Sequence, residues 1–293
     1  MTVTPDLDAP RPAREESFSD ALTIAFADPA NGACGTLRLG LAAGRSASGL
    51  VLLFHDGEQV AVAAEGDVAV GDPSSWDGVA AAGIDVETIE PLRRWHVTFA
   101  GEDASLDLDV EAAGPIAELA ADDPVARLGG MLGFDLPVTV RGSADLRGTR
   151  LTLDAVGQRS RSWGSPDWSR IARTRIVQAW FDGGTASVTA IAPAAAAGHG
   201  DEVVSATLVG PHGAQPVGDA RLSTTFDADG RQQRAALELW PPDDGAPRRL
   251  SGEVFCGTTL DLGRLRLDCS FVRWRMNGQD GIGRYDILRR LPG

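Results

Sequence analysis

The sequence contains no lysine, so all 27 of its basic residues are arginine. A chain without lysine cannot form a Schiff base with a carbonyl substrate or build a phosphate-binding loop of the Walker type. With 41 acidic residues the net charge is −14, which disfavours nucleic acid and anionic lipid as partners. We therefore expect no nucleic-acid partner. We also expect no membrane insertion, because no apolar run approaches membrane-spanning length.

Cysteine and histidine do not form the pattern of a metal site. The three cysteines, Cys34, Cys256 and Cys269, have spacings that suit neither a zinc knuckle nor a redox pair, and we predict reduced, mostly buried thiols. Residues 227–230 resemble the start of a calcium loop but lack its remaining ligands. No nucleotide fingerprint, nucleophile elbow or His-Glu-x-x-His motif is present. We predict that the protein needs neither a metal nor an organic cofactor.

The first 15 residues contain no apolar run and include several prolines and aspartates. They predict a disordered N-terminal arm and no signal peptide. Together with the reduced cysteines, this favours a cytoplasmic protein. We expect either a monomer or a homodimer. The length of the chain allows either one large core or two domains of about 150 residues each.

Alternation of apolar and polar residues dominates the rest of the chain. It is clear at residues 36–39, 106–111 and 265–271, where each run predicts a strand with one buried and one solvated face. The apolar parity then switches, which indicates a β-bulge near Phe271-Val272. Residues 115–120 form the only predicted helix. An antiparallel meander of this kind must close into barrels or stack as sandwiches to remove its open edges.

Short turn signals separate these runs at close intervals. They supply the positive φ that two-residue hairpins require, and they are Asp56-Gly57, Asp182-Gly183, Asp229-Gly230, Asn277-Gly278 and Asp280-Gly281. Similar numbers of strand signals lie on the two sides of residues 155–157. We predict an N-terminal β domain over residues 16–155 and a C-terminal β domain over residues 156–293.

Residues 157–168 form the densest run of chemically specific side chains in the chain. They hold two tryptophans, two arginines, three serines and an aspartate between glycines and a proline, directly after an alternating strand. Turn residues are selected for backbone conformation rather than for ring surface. The aromatic content of this run therefore predicts a segment that lines a site.

The same run resembles the signature G-x-R-D-H-S-W-G-x-R-D-W of AttH-like proteins related to carotenoid 1,2-hydratase (hydroxyneurosporene synthase). Residues 16–18 and 26–41 resemble the opening strands of that family, and residues 281–286 resemble its closing glycine-aromatic-acid motif. The resemblance implies an all-β fold with two lipocalin-like antiparallel β-barrel domains in tandem. Relatives of this architecture include hydratases of polyenes, terpenoid cyclases and enzymes that guide intramolecular cycloadditions.

The chain departs from this signature at the positions best suited to proton transfer. Ser160 and Arg161 stand where the family has aspartate and histidine, and Pro166 replaces the later arginine. The loss of the aspartate and the histidine weakens a hydratase interpretation. It favours a reaction that is driven by the shape of the site.

Three residues of the run are candidate catalytic groups. Arg159 and Arg161 can hold a carboxylate or polarise a carbonyl as negative charge develops, and Asp167 is a candidate general acid. A further set is predicted to bind substrate: Ser160, Ser162, Trp163, Trp168, Trp180, Trp274, Tyr285 and His96. His96 becomes a proton shuttle if its strand turns that face into the barrel, and it is a surface residue otherwise.

A structural interpretation of the run stays open beside the functional one. The tryptophans can plug the end of a barrel while Arg159 and Asp167 form a buried ion pair that orders the connection between the domains. In that case the run touches no ligand.

Two classes of function fit the sequence. The first is a cofactor-independent biosynthetic enzyme that binds a small apolar polyene, polyketide or terpenoid intermediate in a β-barrel cavity. It would promote cyclisation or isomerisation, with hydration of an isoprenoid double bond as an alternative. The second is a non-catalytic, lipocalin-like carrier of a hydrophobic ligand. Orientation of a folded substrate alone can supply roughly 7 to 11 kcal/mol of a reaction barrier, which makes a shape-driven enzyme chemically reasonable.

Overall fold

A computed structural model describes residues 3–12, 15–43, 45–196, 198–242 and 246–291. Its two sheets are antiparallel and curl into half-barrels, which confirms the predicted all-β fold with two lipocalin-like domains in tandem. The chain divides into unit 1, Met1–Glu118 with Met131–Pro166, and unit 2, Leu119–Gly130 with Asp167–Gly293. No helix of the described residues is long and apolar enough to cross a membrane.

The sheet of unit 1 has ten strands within the described residues. They are β1 (Ser19–Asp28), β2 (Ala33–Ala42), β3 (Ser46–His55), β4 (Glu58–Ala69), β5 (Ile84–Glu90), β6 (Arg94–Ala100), β7 (Ala104–Ala112), β8 (Ala117–Leu119), β9 (Met131–Leu146) and β10 (Thr149–Gly164). Their order is β4-β3-β2-β1-β10-β9-β7-β6-β5, and β8 pairs with β9. The last strand therefore pairs with the first in the middle of the sheet.

The sheet of unit 2 has nine strands in the described part of the chain. They are β11 (Ile171–Phe181), β12 (Gly184–Pro193), β13 (Val203–Gly210), β14 (Gly213–Pro216), β15 (Asp219–Phe226), β16 (Gln232–Trp240), β17 (Arg248–Leu262), β18 (Leu265–Met276) and β19 (Gln279–Arg290). Their order is β14-β13-β12-β11-β19-β18-β17-β16-β15. The helices are α1 (Pro124–Gly129) and two 3-10 turns, Pro5–Leu7 and His199–Asp201.

The two sheets share one topology. In each, four successive strands run outward from the centre and the remaining strands return, so that the last strand pairs with the first. Each last strand carries a glycine against the first strand, Gly157 in β10 and Gly283 in β19. A Cβ atom would lie 2.2 Å from the carbonyl oxygen of Ala25 at the first position and 1.9 Å from that of Gln178 at the second. Close approach of the central strands therefore requires glycine at both positions.

Each sheet encloses its own apolar core. The core of unit 1 is built from alternate residues of its strands and includes Leu22, Ile24, Leu53, Trp95, Val97, Phe99, Leu108 and Val140. The core of unit 2 includes Val177, Val188, Leu208, Leu237, Val272, Trp274, Tyr285 and Ile287. One face of each sheet therefore forms the interior of its half-barrel, as the alternation in the sequence predicts.

The division between the units comes later than the sequence suggests. β10 runs as one strand from residue 149 to 164, so the predicted boundary between residues 155 and 156 falls inside it. Residues 119–130 also belong to unit 2. The glycine at position 157 resembles a break in the sequence, but it sits inside a strand because the neighbouring backbone approaches closely there.

The N-terminal residues are ordered where the sequence predicts a disordered arm. Residues 5–7 form a 3-10 turn, and Leu7 and Asp8 are both buried in unit 1. Hydrogen bonds to the Asp8 carboxylate hold the segment in place. Within the predicted arm, residues 1, 2, 13 and 14 lie outside the described residues.

The predicted helix at residues 115–120 is wrong, because the middle of that run forms β8. Helix α1 begins a few residues later, at Pro124, a residue favoured in the first turn. The Asp123 carboxylate caps it by accepting a hydrogen bond from the Val125 amide at 2.7 Å. Gly130 ends it in the left-handed conformation. Capping residues, rather than the composition of the run, mark this helix.

The predicted β-bulge lies at the expected level but on the neighbouring strand. The register shifts between Val254 and Cys256 of β17, which face Val272 and Phe271 of β18. The apolar parity of β18 changes because Phe271 on one face and Val272 on the other are both fully buried.

Four of the five predicted turn dipeptides connect strands. The exception is Asp280-Gly281, which lies inside β19. Its glycine is needed for space, since a Cβ atom there would lie 2.4 Å from the ring of Phe181.

Candidate functional site

Strand β10 carries the predicted signature, and its alternation separates two groups of side chains. Arg159 and Arg161 share the core face, where their cross-strand partners are Ile24 and Leu22. The serines at the intervening positions lie on the other face. The strand thus introduces two cations into an otherwise apolar interior.

Arg161 is buried and has all of its donors occupied. Its guanidinium donates to both carboxylate oxygens of Asp20, at 2.5 and 3.2 Å, and to the carbonyl oxygen of Ala21 at 2.6 Å. It also donates to the carbonyl oxygens of Asp8 and Ala9, at 3.3 and 2.8 Å. These contacts use all five N–H groups of the side chain. Its counter-ion, Asp20, is fixed in β1.

Arg159 is equally buried, at 0% exposure, but its donors are not all occupied. Nη2 forms an ion pair with Oδ1 of Asp8, and Nε and Nη1 have no acceptor. The guanidinium lies 4.2 Å from the centre of the Trp95 ring, a cation–π distance. Burial lowers the pKa of Arg159 to about 10, which leaves the side chain a cation at neutral pH.

Asp8 supplies the counter-ion of Arg159 from outside the sheet. Its Oδ2 accepts hydrogen bonds from the Leu92 amide at 2.8 Å and from Nε1 of Trp95 at 3.1 Å. Its main-chain carbonyl accepts from Nε1 of Trp76 at 3.0 Å. The N-terminal segment therefore satisfies two buried indole donors as well as a buried cation.

Trp163 completes this group of residues. Its ring packs edge-on against Phe134, with centroids 6.3 Å apart, and shares a small apolar cluster with Leu7. The guanidinium of Arg161 lies 5.8 Å from its centre. We call the following residues, all in unit 1, the buried arginine cluster: Asp8, Asp20, Trp76, Trp95, Arg159, Arg161 and Trp163.

The remaining acid of the signature lies elsewhere and has another role. Asp167 is exposed in unit 2, where it accepts hydrogen bonds from the hydroxyl and amide of Ser169, at 2.5 and 2.9 Å. These hydrogen bonds lower its pKa, so it is ionised at neutral pH and poorly suited to act as a general acid. The counter-ion of Arg159 is Asp8, not the predicted Asp167. Trp168, half-buried, packs on the apolar cluster that includes Ile171.

Three predicted polar site residues of unit 1 lie away from the core. The hydroxyl of Ser160 donates to Asp135 at 2.6 Å, and Ser162 lies half-buried on the same face of β10. His96 lies on the exposed face of β6, with its side chain 34% exposed and Nδ1 3.1 Å from a carboxylate oxygen of Asp109. Of its two predicted positions, the structure therefore shows the surface one.

The three remaining predicted residues of unit 2 divide between the two faces of its sheet. Tyr285 and Trp274 belong to the core, and Trp180 lies on the other face of β11. The Tyr285 hydroxyl is hydrogen-bonded to Oγ1 of Thr224 at 2.5 Å, and burial raises its pKa. Nε1 of Trp274 is buried without an acceptor.

Unit 2 has a charged interior group that the sequence analysis missed. Arg175 is buried, donates to Oγ1 of Thr224 at 3.0 Å and to the carbonyl oxygen of Leu222 at 3.1 Å, and forms an ion pair with Glu202. Glu202 also pairs with Arg173 at 2.6 Å. An open concavity of about 530 Å³, bordered by residues such as Phe181, Leu208 and Met276, lies elsewhere in unit 2 and includes none of the predicted site residues.

The sequence also missed the partners of the two arginines in unit 1. Trp95 alternates with polar residues along its strand, but nothing in the pattern indicates that it meets Arg159. Asp20 and Trp76 stand in segments without a distinctive motif, and Asp8 lies in the arm predicted to be disordered. An isolated acid near a strand start was the available signal for Asp20, and it is a weak one.

The buried arginine cluster combines two cations with three indole rings in the interior of unit 1. A guanidinium removed from water interacts more strongly with a carbonyl or carboxylate than an exposed one does. The indole rings give flat apolar surface around it.

The fold defines a class of double-lipocalin proteins, in which two such sheets follow one another in a single chain. Within that class, the chain belongs to the family described as a domain of unknown function, DUF7064, whose model matches residues 4–290. No curated protein sequence matches the chain.

Solved structures of low sequence identity share the fold. A protein described as AttH, from Nitrosomonas europaea, superposes with a TM-score of 0.73 at 14% identity, covering 92% of this chain and 91% of that chain. Kievitone hydratase from Nectria haematococca gives 0.67 at 10% identity, with 92% and 88% covered. CghA with Sch210972 gives 0.64 at 14% identity, with 94% and 89% covered. These likenesses confirm the predicted resemblance in fold to AttH-like proteins.

Proposed function

We propose that the protein is a cofactor-independent enzyme that promotes cyclisation or isomerisation of an apolar polyene, polyketide or terpenoid intermediate at the buried arginine cluster. The observation that carries this proposal is Arg159, a fully buried cation whose Nε and Nη1 groups have no acceptor. A buried donor without a partner costs about 1–3 kcal/mol, and such groups in native proteins need an explanation. Binding an oxygen of the substrate is the explanation that we favour.

In this mechanism a substrate carbonyl accepts hydrogen bonds from Nε and Nη1 of Arg159. The fixed guanidinium stabilises the negative charge that develops on that oxygen as bonds rearrange. The rings of Trp76, Trp95 and Trp163 hold the hydrocarbon part in a folded conformation, and such orientation can supply roughly 7 to 11 kcal/mol of the barrier. Cyclisation and isomerisation conserve every atom of the substrate, so the reaction needs no co-reactant.

Two further points support the proposal. Proteins of this fold include a hydratase and one solved with the small molecule Sch210972, so the architecture accommodates small-molecule chemistry. Ser160 and Arg161 replace the aspartate and histidine of the family signature, which favours rearrangement over proton-dependent hydration. Arg161, whose donors are all occupied, positions β1 against β10 and keeps the cluster rigid.

The test is incubation of the purified protein with a panel of conjugated polyene and terpenoid ketones and carboxylic acids, followed by chromatography with mass detection. A product of unchanged mass and altered retention supports the proposal. A gain of one water identifies a hydratase, and substrate that binds but is recovered unchanged identifies a carrier. Turnover should persist after exhaustive dialysis against a chelator.

Variants of the cluster connect any turnover to this site. Trp163→Ala should lower turnover by more than the loss of folded protein explains. Truncation of a buried tryptophan typically costs about 3–5 kcal/mol of stability, so thermal melting must accompany the kinetics. Trp163→Phe, Arg159→Lys and Arg161→Ala cover the ring and the two cations separately. If all three keep normal turnover, the cluster is a structural latch and the proposal fails.

A further inference from the structure

The N-terminal segment, residues 5–11, contributes hydrogen-bond acceptors to the buried arginine cluster. Its Asp8 carboxylate meets Arg159 and Nε1 of Trp95, and its Asp8 carbonyl meets Nε1 of Trp76. The Ala9 carbonyl accepts from Arg161. The partners of these acceptors are all donors fixed in unit 1. The segment therefore occupies the position that a ligand with acceptor atoms would occupy.

The fit of Asp8 to Arg159 is incomplete, and this incompleteness indicates the chemical class of that ligand. A carboxylate bound side-on to an arginine normally receives two parallel hydrogen bonds. Asp8 pairs with Nη2 through Oδ1, while its other oxygen is held by Leu92 and Trp95, and Nε and Nη1 keep no acceptor. A carboxylate that is not tethered to this backbone can use donors that Asp8 leaves free.

The segment is held by side-chain and main-chain contacts of individual residues, not by strand pairing. Its 3-10 turn has no side-chain cap at Thr4, and residues 3–12 pair with no strand in the described sheet. Leu7 packs against Trp163, and the Arg11 amide donates to Asp20 at 2.6 Å. Arg161, by contrast, keeps Asp20 and Ala21 of β1 when the segment leaves. Local detachment therefore exposes Arg159 without dismantling the sheet.

We propose that the N-terminal segment is an internal competitor for a carboxylate-bearing ligand, and that the cluster binds apolar acids whose carboxylate replaces Asp8 on Arg159. This inference rests on the proposed function and specifies its substrate class: a hydrocarbon chain or ring system, to pack on Trp76, Trp95 and Trp163, that ends in a carboxylate. The ion pair formed with the ligand replaces the ion pair broken with Asp8. The net charge of the interior is therefore unchanged by the exchange.

The experiment measures binding of a fluorescent conjugated polyene fatty acid and of its methyl ester to the full-length protein. In Asp8→Asn, Arg159 lacks a counter-ion and the competitor is weakened, so the acid should bind at least about tenfold more tightly than to the wild type while the ester changes little. Asp6→Asn is the matched control, because Asp6 belongs to the same segment but is exposed. It should change neither affinity. Adding Arg159→Met to Asp8→Asn should abolish the gain.

A second measurement uses the wild-type protein and does not depend on the folding of any variant. The amides of Leu7, Asp8 and Arg11 are hydrogen-bonded in the docked segment. Saturating acid should therefore speed hydrogen exchange in residues 5–11, and the ester should not. Exchange that is unchanged or slowed by the acid overturns the proposal, as does an Asp8→Asn variant that gains affinity equally for acid and ester. If neither compound binds any folded variant, the proposed function fails as well; if both bind alike, only the carboxylate assignment fails.

Discussion

The two units of the chain place different chemistry at the same register position of the same sheet. Two residues after the close-packed glycine of the last strand, unit 1 has Arg159 and unit 2 has Tyr285, and each side chain points into its own core. In unit 2 the nearby cation, Arg175, is balanced by Glu202, which lies between consecutive strands of that unit. In unit 1 the counter-ion is Asp8, in a segment that belongs to no strand.

This difference shows what the fold determines and what it leaves open. The topology and register determine which positions project into the interior, and both units use one for a polar side chain. The topology and register do not determine which partner satisfies the polar group of that side chain. Unit 2 balances its interior charge with Glu202, in a connection between its strands, whereas unit 1 relies on a docked terminal segment. Unit 1 is therefore the one in which we propose that a ligand exchanges for the interior partner.

The largest expected effect is a difference in stability between variants of the two ion pairs. Arg159→Met leaves the Asp8 carboxylate buried and uncompensated, and we expect it to lower the free energy of unfolding by about 3–5 kcal/mol. Arg175→Met leaves Glu202 paired with Arg173, so a smaller loss of about 1–3 kcal/mol is expected. Urea denaturation of both variants measures the contrast.

The double variant Asp8→Asn/Arg159→Met provides the control for that comparison. It removes both charges and keeps an oxygen that can accept from Leu92 and Trp95, so it should recover much of the stability lost in Arg159→Met. Equal losses in Arg159→Met and Arg175→Met, or no recovery in the double variant, would show that the two interiors are balanced in the same way.

A smaller loss of stability is expected at the close-packed glycines, which the central strands of both units share. Gly157→Ala and Gly283→Ala each place a Cβ atom against backbone, at 2.2 and 1.9 Å from a carbonyl oxygen, and should each cost about 1–3 kcal/mol. Gly66→Ala in β4 is the matched control, because no atom lies within 4 Å of its Cβ position, and it should stay within about 0.5 kcal/mol of the wild type. A cost at only one of the two central positions would mean that the repeat is tight in only one sheet.

The sequence predicted the fold well because the relevant signals are local. Alternation in runs such as residues 106–111 and turn dipeptides such as Asn277-Gly278 each fix a short piece of a meander. The boundary at residues 155 and 156 failed because Gly157 is required by a neighbouring strand and not by a turn. That contact is between residues far apart in sequence, which local patterns do not contain.

The site was predicted only in part, for a related reason. The density of residues 157–168 predicts a group that includes Arg159, Arg161 and Trp163, and these three are buried on one face of β10. Their role in binding substrate stays a prediction. It also implied that Asp167 belongs to the same site as the two arginines. Asp167 instead lies beyond the end of β10, in unit 2. The partner Asp8 was hidden because a proline-rich segment without apolar periodicity resembles a disordered tail, although one buried leucine and one buried carboxylate are enough to dock it.

The smallest expected effect concerns the interior of unit 2 and is read from its single tyrosine. Burial raises the pKa of Tyr285 above its ordinary value of 10.0, an effect only partly offset by Arg175 and by the hydrogen bond with Thr224. Spectrophotometric titration of the folded protein should therefore give a tyrosinate midpoint above that value, and titration in denaturant should return it to about 10. Because the folded pKa is raised, the stabilising contribution of Tyr285 is fully present below the unfolded pKa and is lost as the pH rises through the folded pKa.

Two variants sharpen this titration into a comparison of the units. Arg175→Met removes a neighbouring cation that favours the tyrosinate, so the midpoint should rise further. Asp8→Asn changes the interior charge of unit 1, and the midpoint of Tyr285 should stay where it is in the wild type, since the contacts of Tyr285 with Thr224 and the nearby Arg175 lie within unit 2. A folded-state midpoint at or below the ordinary value would mean that the core of unit 2 admits water, and that its interior, rather than that of unit 1, is the more open of the two.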